Sequence, residues 1–302
     1  MIRLGTRGSA LALAQARWVA DRLPGEVELV PIRTSGDESP RLEGSLGDKS
    51  RFVKEIEQAL LAGEIDIAVH SAKDVPTEFP RGLLLSSVGE RADPRDAICG
   101  VESLDALPEG AVVGTSSLRR RALLLAVRPD LDVRDLRGNV DTRLGRLAEG
   151  RFDAIVLAQA GLDRLGRGDE GRPIDPDIFV PAAGQGCLAA ETRDADEPAP
   201  QAVSGLRNFE TDICLTEERN VVRLLGATCN TPIGVHATGH EEGTLRLIAF
   251  VGLPDGSRWI RDELEMPFPH AASLISHNVA ERLRGAGADE LLEEAERLVA
   301  AG

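Results

Sequence analysis

The chain has 302 residues, 42% of them hydrophobic, which is enough for two or three domains that each bury a core. Thirty-five Lys and Arg face fifty Asp and Glu for a net charge of -15, which disfavours nucleic acid as the partner, and no apolar run is long enough to span a bilayer. The four cysteines, Cys99, Cys187, Cys214 and Cys229, lie far apart with no CxxC pair, which argues against a zinc site and for reduced thiols in a cytoplasmic protein.

In chain order, IRLGTRGSALALAQA predicts a short strand, a Gly5-Thr6 turn and a helix from about Ser9. A serine ahead of an apolar-periodic run is a helix N-cap signature. No apolar region followed by a cleavage site is visible there, so no secretory leader is expected. GEIDIAVHSA at 63–72 follows an amphipathic helix ended by Gly63 and reads as a buried parallel strand. Asp74 lies just past its carboxyl end, where open α/β sheets place working groups. A carboxylate there could accept N–H hydrogen bonds, stabilise a cation or shuttle a proton, although an Asp before a Val-Pro turn is also an ordinary structural residue. His70 ends the strand and reads as a satisfied core histidine.

The design then repeats. AVVGTSSLRRRALLLA is again a strand, a Gly114-Thr115 turn and a helix, now from about Ser117, and GRFDAIVLAQA at 150–160 again follows a helix ended by a glycine, Gly150. This duplication predicts two doubly wound α/β domains facing each other across a cleft, with ligands held near helix N-termini. Arg7, Ser9, Ser116, Ser117, Arg119 and Arg120 would point into it. Crossings between the two are expected near Pro94 and at PAAGQG (181–186). After Gly186 the pattern changes: 200–225 reads as helical, TLRLIAFVGL and SRWIRDELEM alternate around Pro254-Asp255-Gly256 as an antiparallel hairpin, and helices at about 271–284 and 288–300 close the chain. The expected organisation is domain 1 at 1–91 with 187–206, domain 2 at 92–186, and a smaller α+β domain 3 at 207–302.

Charge is unevenly spread. Eight arginines (Arg119, Arg120, Arg121, Arg128, Arg134, Arg137, Arg143, Arg146) share residues 119–146 with only four acids, a basic island that suggests a small polyanionic ligand. Solvated helix-face arginines would give the same clustering. Lysine is nearly absent: Lys49, Lys54 and Lys73 are the only three. Codon preference or a salt-rich cytoplasm would each produce that, and the excess of acids favours salt. His236 and His240 are spaced i, i+4, but Thr238 and Gly239 between them argue against a helix, so no metal pair is expected. Cys229 sits in GATCNTPIG, a small-residue loop; a free cysteine in such a place is more often inert than reactive.

TRGSALALAQA, GDKSRFVKEIE, DIAVHSAKDVP, ERADPRDA, VGTSSLRRR, LRGNVDTRL, AGLDRLG, PAAGQG, TEERNVVRLL and CNTPIG, in this order from Ile2 to about Leu298, closely resemble the porphobilinogen deaminase (hydroxymethylbilane synthase) family. The resemblance implies two periplasmic-binding-protein-like domains plus the smaller third. It implies a transferase that condenses four porphobilinogen molecules head to tail, releasing ammonia, to give hydroxymethylbilane for tetrapyrrole biosynthesis. Each pyrrole carries an acetate and a propionate, so the growing chain is a polyanion. By the same resemblance Cys229 would carry a dipyrromethane primer through a thioether, sulfur being a suitable soft nucleophile for an electrophilic methylene. Asp74 would bind pyrrole N–H groups, stabilise the azafulvenium-like cation and help protonate the leaving amine. Arg7, Lys73, Arg119, Arg120, Arg137, Arg143 and Arg164 would hold carboxylates, and Ser9, Ser71, Thr115, Ser116 and Ser117 would add hydroxyl or N–H contacts. Lys49 and Lys54 match a cleft-covering loop. The chain departs from the family where Ala227 and Thr228 replace a Gly-Gly pair before the cysteine, and where GDKSR replaces the commoner GGKGL. On the residues alone, two other readings stay open: a non-catalytic two-lobed anion-binding protein, and a cysteine hydrolase pairing Cys229 with His236, for which no oxyanion or base constellation is visible. Nothing asks for more than a monomer, and neither nucleic acid nor membrane is expected as a partner.

Overall fold

A computed structural model describes residues 1–35, 53–78, 80–195, 198–228, 231–240, 243–268 and 274–301. The first lobe begins with β1 (Ile2–Arg7), α1 (Ala10–Ala20), β2 (Val27–Ile32), α2 (Lys54–Leu61), β3 (Ile67–Ser71) and β4 (Leu83–Val88). The second contains β5 (Asp96–Cys99), β6 (Val112–Gly114), α3 (Leu118–Val127), β7 (Asp132–Arg134), α4 (Val140–Ala148), β8 (Ala154–Ala158), α5 (Gln159–Arg164) and β9 (Arg172–Pro173). The chain then returns through β10 (Leu188–Arg193) and α6 (Pro198–Ser204), and continues with α7 (Phe209–Leu224), β11 (Ile233–His240), β12 (Thr244–Gly252), β13 (Trp259–Pro267), α8 (Ile275–Gly285) and α9 (Ala288–Ala301).

The two lobes are built to one plan. The strand order is β2-β1-β3-β10-β4 in one sheet and β7-β6-β8-β5-β9 in the other. In each, the first three strands are parallel and the fourth is antiparallel to its neighbours. That fourth strand is the one that follows a crossing between lobes. The crossing segments touch: a Cβ on Gly186, whose φ is +90, would lie 2.4 Å from the Ala92 carbonyl oxygen, so only glycine fits there. Both lobes are doubly wound α/β units.

Local signals account for the helices that open each lobe. Ser9 Oγ accepts from the Ala12 N–H at the start of α1, and Ser117 Oγ accepts from the Arg120 N–H at the start of α3. Ile67–His70 of β3 and Ala154–Leu157 of β8 are buried throughout, as strands covered on both faces must be.

The third unit is an antiparallel sheet, β11-β12-β13, with α7, α8 and α9 packed on one face around Val221, Val235, Leu247, Val279 and Leu291. The other face of β12 sends Ile248 and Phe250 into the core of the second lobe. Strand β11 was not evident from the sequence. Its Gly234, Gly239 and His236 blur the alternation, although Ile233, Val235 and Ala237 face the core.

Candidate active-site cleft

At the carboxyl edge of the first sheet, β3 ends in Ser71 and the chain tightens into a 3-10 turn, Ala72–Asp74. Ser71 Oγ accepts from Gln15 Nε2 of α1 at 3.4 Å, and the Ala72 N–H donates to Cys187 O at 3.0 Å. Lys73 Nζ donates to Gln185 Oε1 at 3.2 Å, while Gln185 Nε2 donates to Pro94 O at 2.7 Å. One buried amide side chain thus ties the Asp74 turn to both crossings. Arg7 ends β1 and Ser9 caps α1, so both open on this same edge.

The second lobe presents the matching edge. Thr115 Oγ1 accepts from the Ser117 N–H at 3.1 Å, which orders Thr115, Ser116 and Ser117 ahead of α3. The arginines separate into two groups. Arg119 and Arg120 are buried and both grip Asp96, which opens β5 and is 0% exposed. Arg119 makes two bonds to it, at 2.6 and 3.1 Å, and Arg120 Nε donates at 2.8 Å. Arg119 also donates to Val180 O at 2.7 Å and Arg120 to Val156 O at 2.8 Å. Burial alone would raise the Asp96 carboxyl, but the two guanidinium groups outweigh it and hold it well below the usual carboxylate range. Two cations in the first turn of a helix oppose its dipole, and Asp96 supplies the charge that makes this tolerable.

Arg143 and Arg164 differ. Arg143 Nε donates to Gly138 O at 2.8 Å and Arg164 to Gly186 O at 2.8 Å, and among the described residues neither has a carboxylate within ion-pair distance. Desolvation, reinforced by Arg120, pushes Arg143 down to about 10, and desolvation likewise lowers Arg164. Arg137 lies at the rim in a half-exposed pair with Asp135 at 2.7 Å. Charges couple across the cleft: Asp74 of the first lobe acts on Arg143 of the second, and Lys73 on Asp96.

Lys54 is exposed at the start of α2. Lys49 and Cys229 lie outside the described residues. On either side of the cysteine the chain is drawn together: the Thr228 N–H donates to Thr231 Oγ1 at 3.0 Å, and Thr231 Oγ1 donates to Thr228 O at 2.6 Å. Ala227 is buried in the third unit's core, so its methyl group is accommodated. The other three cysteines are buried, and burial pushes their thiols up to about 11 for Cys99 and Cys187 and about 12 for Cys214.

Both core histidines sit beside buried carboxylates, His70 Nε2 3.1 Å from Glu191 Oε2 and His236 Nδ1 3.4 Å from Glu218 Oε1. No group of three His, Cys, Asp or Glu among the described residues is disposed to hold a metal. Sequence reasoning missed Asp96 and Gln185 as parts of the site. An acid opening an apolar strand, Asp96-Ala-Ile-Cys99, was the available signal for the first; nothing local marks the second.

These features define a two-lobed α/β protein whose cleft sets a carboxylate and a lysine on one side against arginines on the other, a site suited to ligands bearing carboxylates. In solved structures the lobes are similar to an ABC transporter protein of Parabacteroides distasonis (16% identity, TM-score 0.42, covering 68% of this chain and 71% of that one) and to the periplasmic VFT2 domain of BvgS from Bordetella pertussis (16%, TM-score 0.36, 68% and 93%). The chain belongs to the porphobilinogen deaminase family. Residues 2–201 match its dipyrromethane cofactor binding domain and 213–285 its C-terminal domain. The porphobilinogen deaminase of Deinococcus radiodurans is 48% identical over 306 residues, covering 97% of this chain and 98% of its own. That of Thermus thermophilus is 50% identical over 286 residues, covering 91% and 92%.

Proposed function

We propose that the cleft condenses four porphobilinogen molecules head to tail with loss of ammonia, giving hydroxymethylbilane for tetrapyrrole biosynthesis. The observation that carries this reading is Asp74, in the 3-10 turn that follows β3, on the lobe edge facing the arginines of the second lobe, in a chain whose residues 2–201 match the dipyrromethane cofactor binding domain. Such an arrangement suits a pyrrole with acid side chains: one group for the cationic ring, others for the anionic arms.

The family's dipyrromethane cofactor fits the residues present, because among the described residues Arg143 and Arg164 donate to backbone carbonyls, make no ion pair, and feel carboxylates only at longer range. When bound, it supplies a covalently held primer with a nucleophilic pyrrole carbon. Arg143 and Arg164, with Arg7 and Lys73 from the facing edge, hold its carboxylates and those of the substrate. Arg119 and Arg120 are anchored by Asp96 and keep further N–H donors, since a guanidinium has five. Arg137 serves the outer end of the cleft. Ser9, Ser71, Thr115, Ser116 and Ser117 add hydroxyl and backbone N–H contacts, and by the family resemblance Lys49 and Lys54 belong to a cleft-covering loop.

At the reacting centre, Asp74 hands a proton to the departing amine as the C–N bond breaks and the electron pair leaves with nitrogen. The carboxylate left behind faces the pyrrole N–H of the resulting cation and stabilises it. It can then accept the proton lost by the attacked ring carbon as aromaticity returns. By the family resemblance attachment falls to Cys229; the raised thiols of Cys99, Cys187 and Cys214, poor nucleophiles near neutral pH, support this. Residues 1–91 with 187–206, 92–186 and 207–302 form the three units. Sheet membership supports that division. The enzyme acts as a cytoplasmic monomer without nucleic acid or membrane partners.

Intact mass of the native protein, with an aldehyde colour test for pyrroles, checks the reading. Two covalently attached pyrrole units are expected, lost in Cys229→Ser and kept in Cys99→Ser, Cys187→Ser and Cys214→Ser. An adduct on any other cysteine, or none in the native protein, sinks it.

A further inference from the structure

We propose that Arg219, on α7, is a positioning residue for Asp74, an inference that rests on the role just given to that carboxylate. One terminal nitrogen of Arg219 donates to Val75 O at 2.9 Å and the other to Pro76 O at 2.6 Å. These are the two carbonyls that directly follow Asp74. Val75, which precedes a proline, is extended (φ -83, ψ 123), so the 3-10 turn stops there. Pro76 has no N–H, and the planar fork of a guanidinium meets two successive carbonyls in one rigid contact.

The rest of the helix face supports the same turn. Leu215, one helical turn before Arg219, packs with Ala72 at the start of the 3-10 segment. On its other side the Ala72 N–H is bound to Cys187 O. Asp74 therefore lies in a three-residue turn clamped at both ends, with α7 supplying the clamp on the exit side. Burial disfavours the charged form of Arg219, and Glu191, fully buried on β10, opposes that effect. Among the described residues this desolvated arginine is held by two backbone carbonyls and opposed in its desolvation by Glu191, a costly way to join two domains. It becomes intelligible if its task is to fix the direction of the residue beside those carbonyls.

A double-mutant cycle on the cofactor-loaded enzyme tests this. Arg219→Leu is expected to lower kcat by about ten- to a hundredfold with KM changed less than about threefold, the range for a misaimed catalytic group. Arg219→Lys, which cannot bridge both carbonyls as a planar fork, should recover only part of the loss. In an Asp74→Asn background, Arg219→Leu should cost less than about threefold more, because the group it aims has already lost its function. If Arg219→Leu does not fold, Arg219→Lys and Arg219→Gln complete the cycle. Equal fold losses in both backgrounds, or a wild-type kcat in Arg219→Leu, overturn the proposal and leave Arg219 a structural staple. Near wild-type turnover of Asp74→Asn alone would instead remove the reading beneath it, which separates the two failures.

Discussion

Arg119 and Arg120 on α3 and Arg143 and Arg164 on α4 and α5 belong to the same lobe, yet their charges are handled in opposite ways. The first pair shares a fully buried carboxylate, Asp96, at 2.6–3.1 Å. The second pair is half-buried and, among the described residues, donates to backbone carbonyls and makes no ion pair. A compensated buried charge is part of the architecture, because removing its partner strands it. One held only at longer range by its carboxylates keeps its donors open to an incoming anion. An arginine island is therefore two devices: a rigid floor set by Asp96 and a set of open forks.

Asp96→Asn attacks the floor and should have the largest effect. Leaving two buried guanidinium groups without their counter-charge should cost about 3–5 kcal/mol of stability, read from urea unfolding. Because the Asp96 carboxyl is held low, its contribution is present at neutral pH and lost as pH falls below the usual carboxylate range. Arg143→Leu attacks a fork. Stability should stay within about 0.5 kcal/mol of wild type or rise, while substrate binding weakens about ten- to a hundredfold, the scale of one charge-assisted hydrogen bond. If both variants lost stability equally, or Asp96→Asn were neutral, the division between floor and forks would fail.

That division was not legible in the sequence, although much around it was. Both serine caps, the strand leading to Asp74, the repeated strand–turn–helix design and the hairpin around Pro254-Asp255-Gly256 followed from signals within a few residues of each other. Asp96 meets Arg119 across 23 positions, and only because β5 inserts antiparallel beside β8. Gln185 reaches Lys73 across 112 positions, through a crossing whose path no local periodicity encodes. The roles of Asp74 and Cys229 came from resemblance to a family rather than from spacing.

The first lobe has its own uncompensated charge, and it offers a smaller and opposite test. Glu57 on α2 is 8% exposed, and burial together with the neighbouring Glu191 pushes its carboxyl up to about 7, against a weaker pull from His70. Folding therefore raises this group's proton affinity. Between the usual carboxylate value and about 7 the folded state holds more protons than the unfolded chain, so stability falls as pH rises through that window. Glu57→Gln should remove this slope. The variant should match wild type near pH 4 and exceed it by up to about 3 kcal/mol at pH 8, in paired urea titrations. A variant no more stable than wild type at pH 8 would show that the burial of Glu57 is compensated after all.

At the surface the uncompensated charge is the net -15 itself, and here the expected effect is smallest per residue but spread over the whole chain. Exposed pairs such as Arg134 with Asp132 and Arg151 with Glu149 are screened as salt rises, but pairs of this kind contribute little to begin with. Repulsion among the excess carboxylates is screened at the same time, the Debye length shrinking to about 3 Å at 1 M. With acids so far in excess of bases the second effect should win, and thermal stability should rise from low to molar KCl. The Asp96 floor is buried and screened much less, so turnover should persist over the same range. Melting temperature and turnover across a KCl series decide the matter. A melting temperature that stays flat or falls up to molar KCl would assign the scarcity of lysine to codon preference and remove salt from the account of this surface.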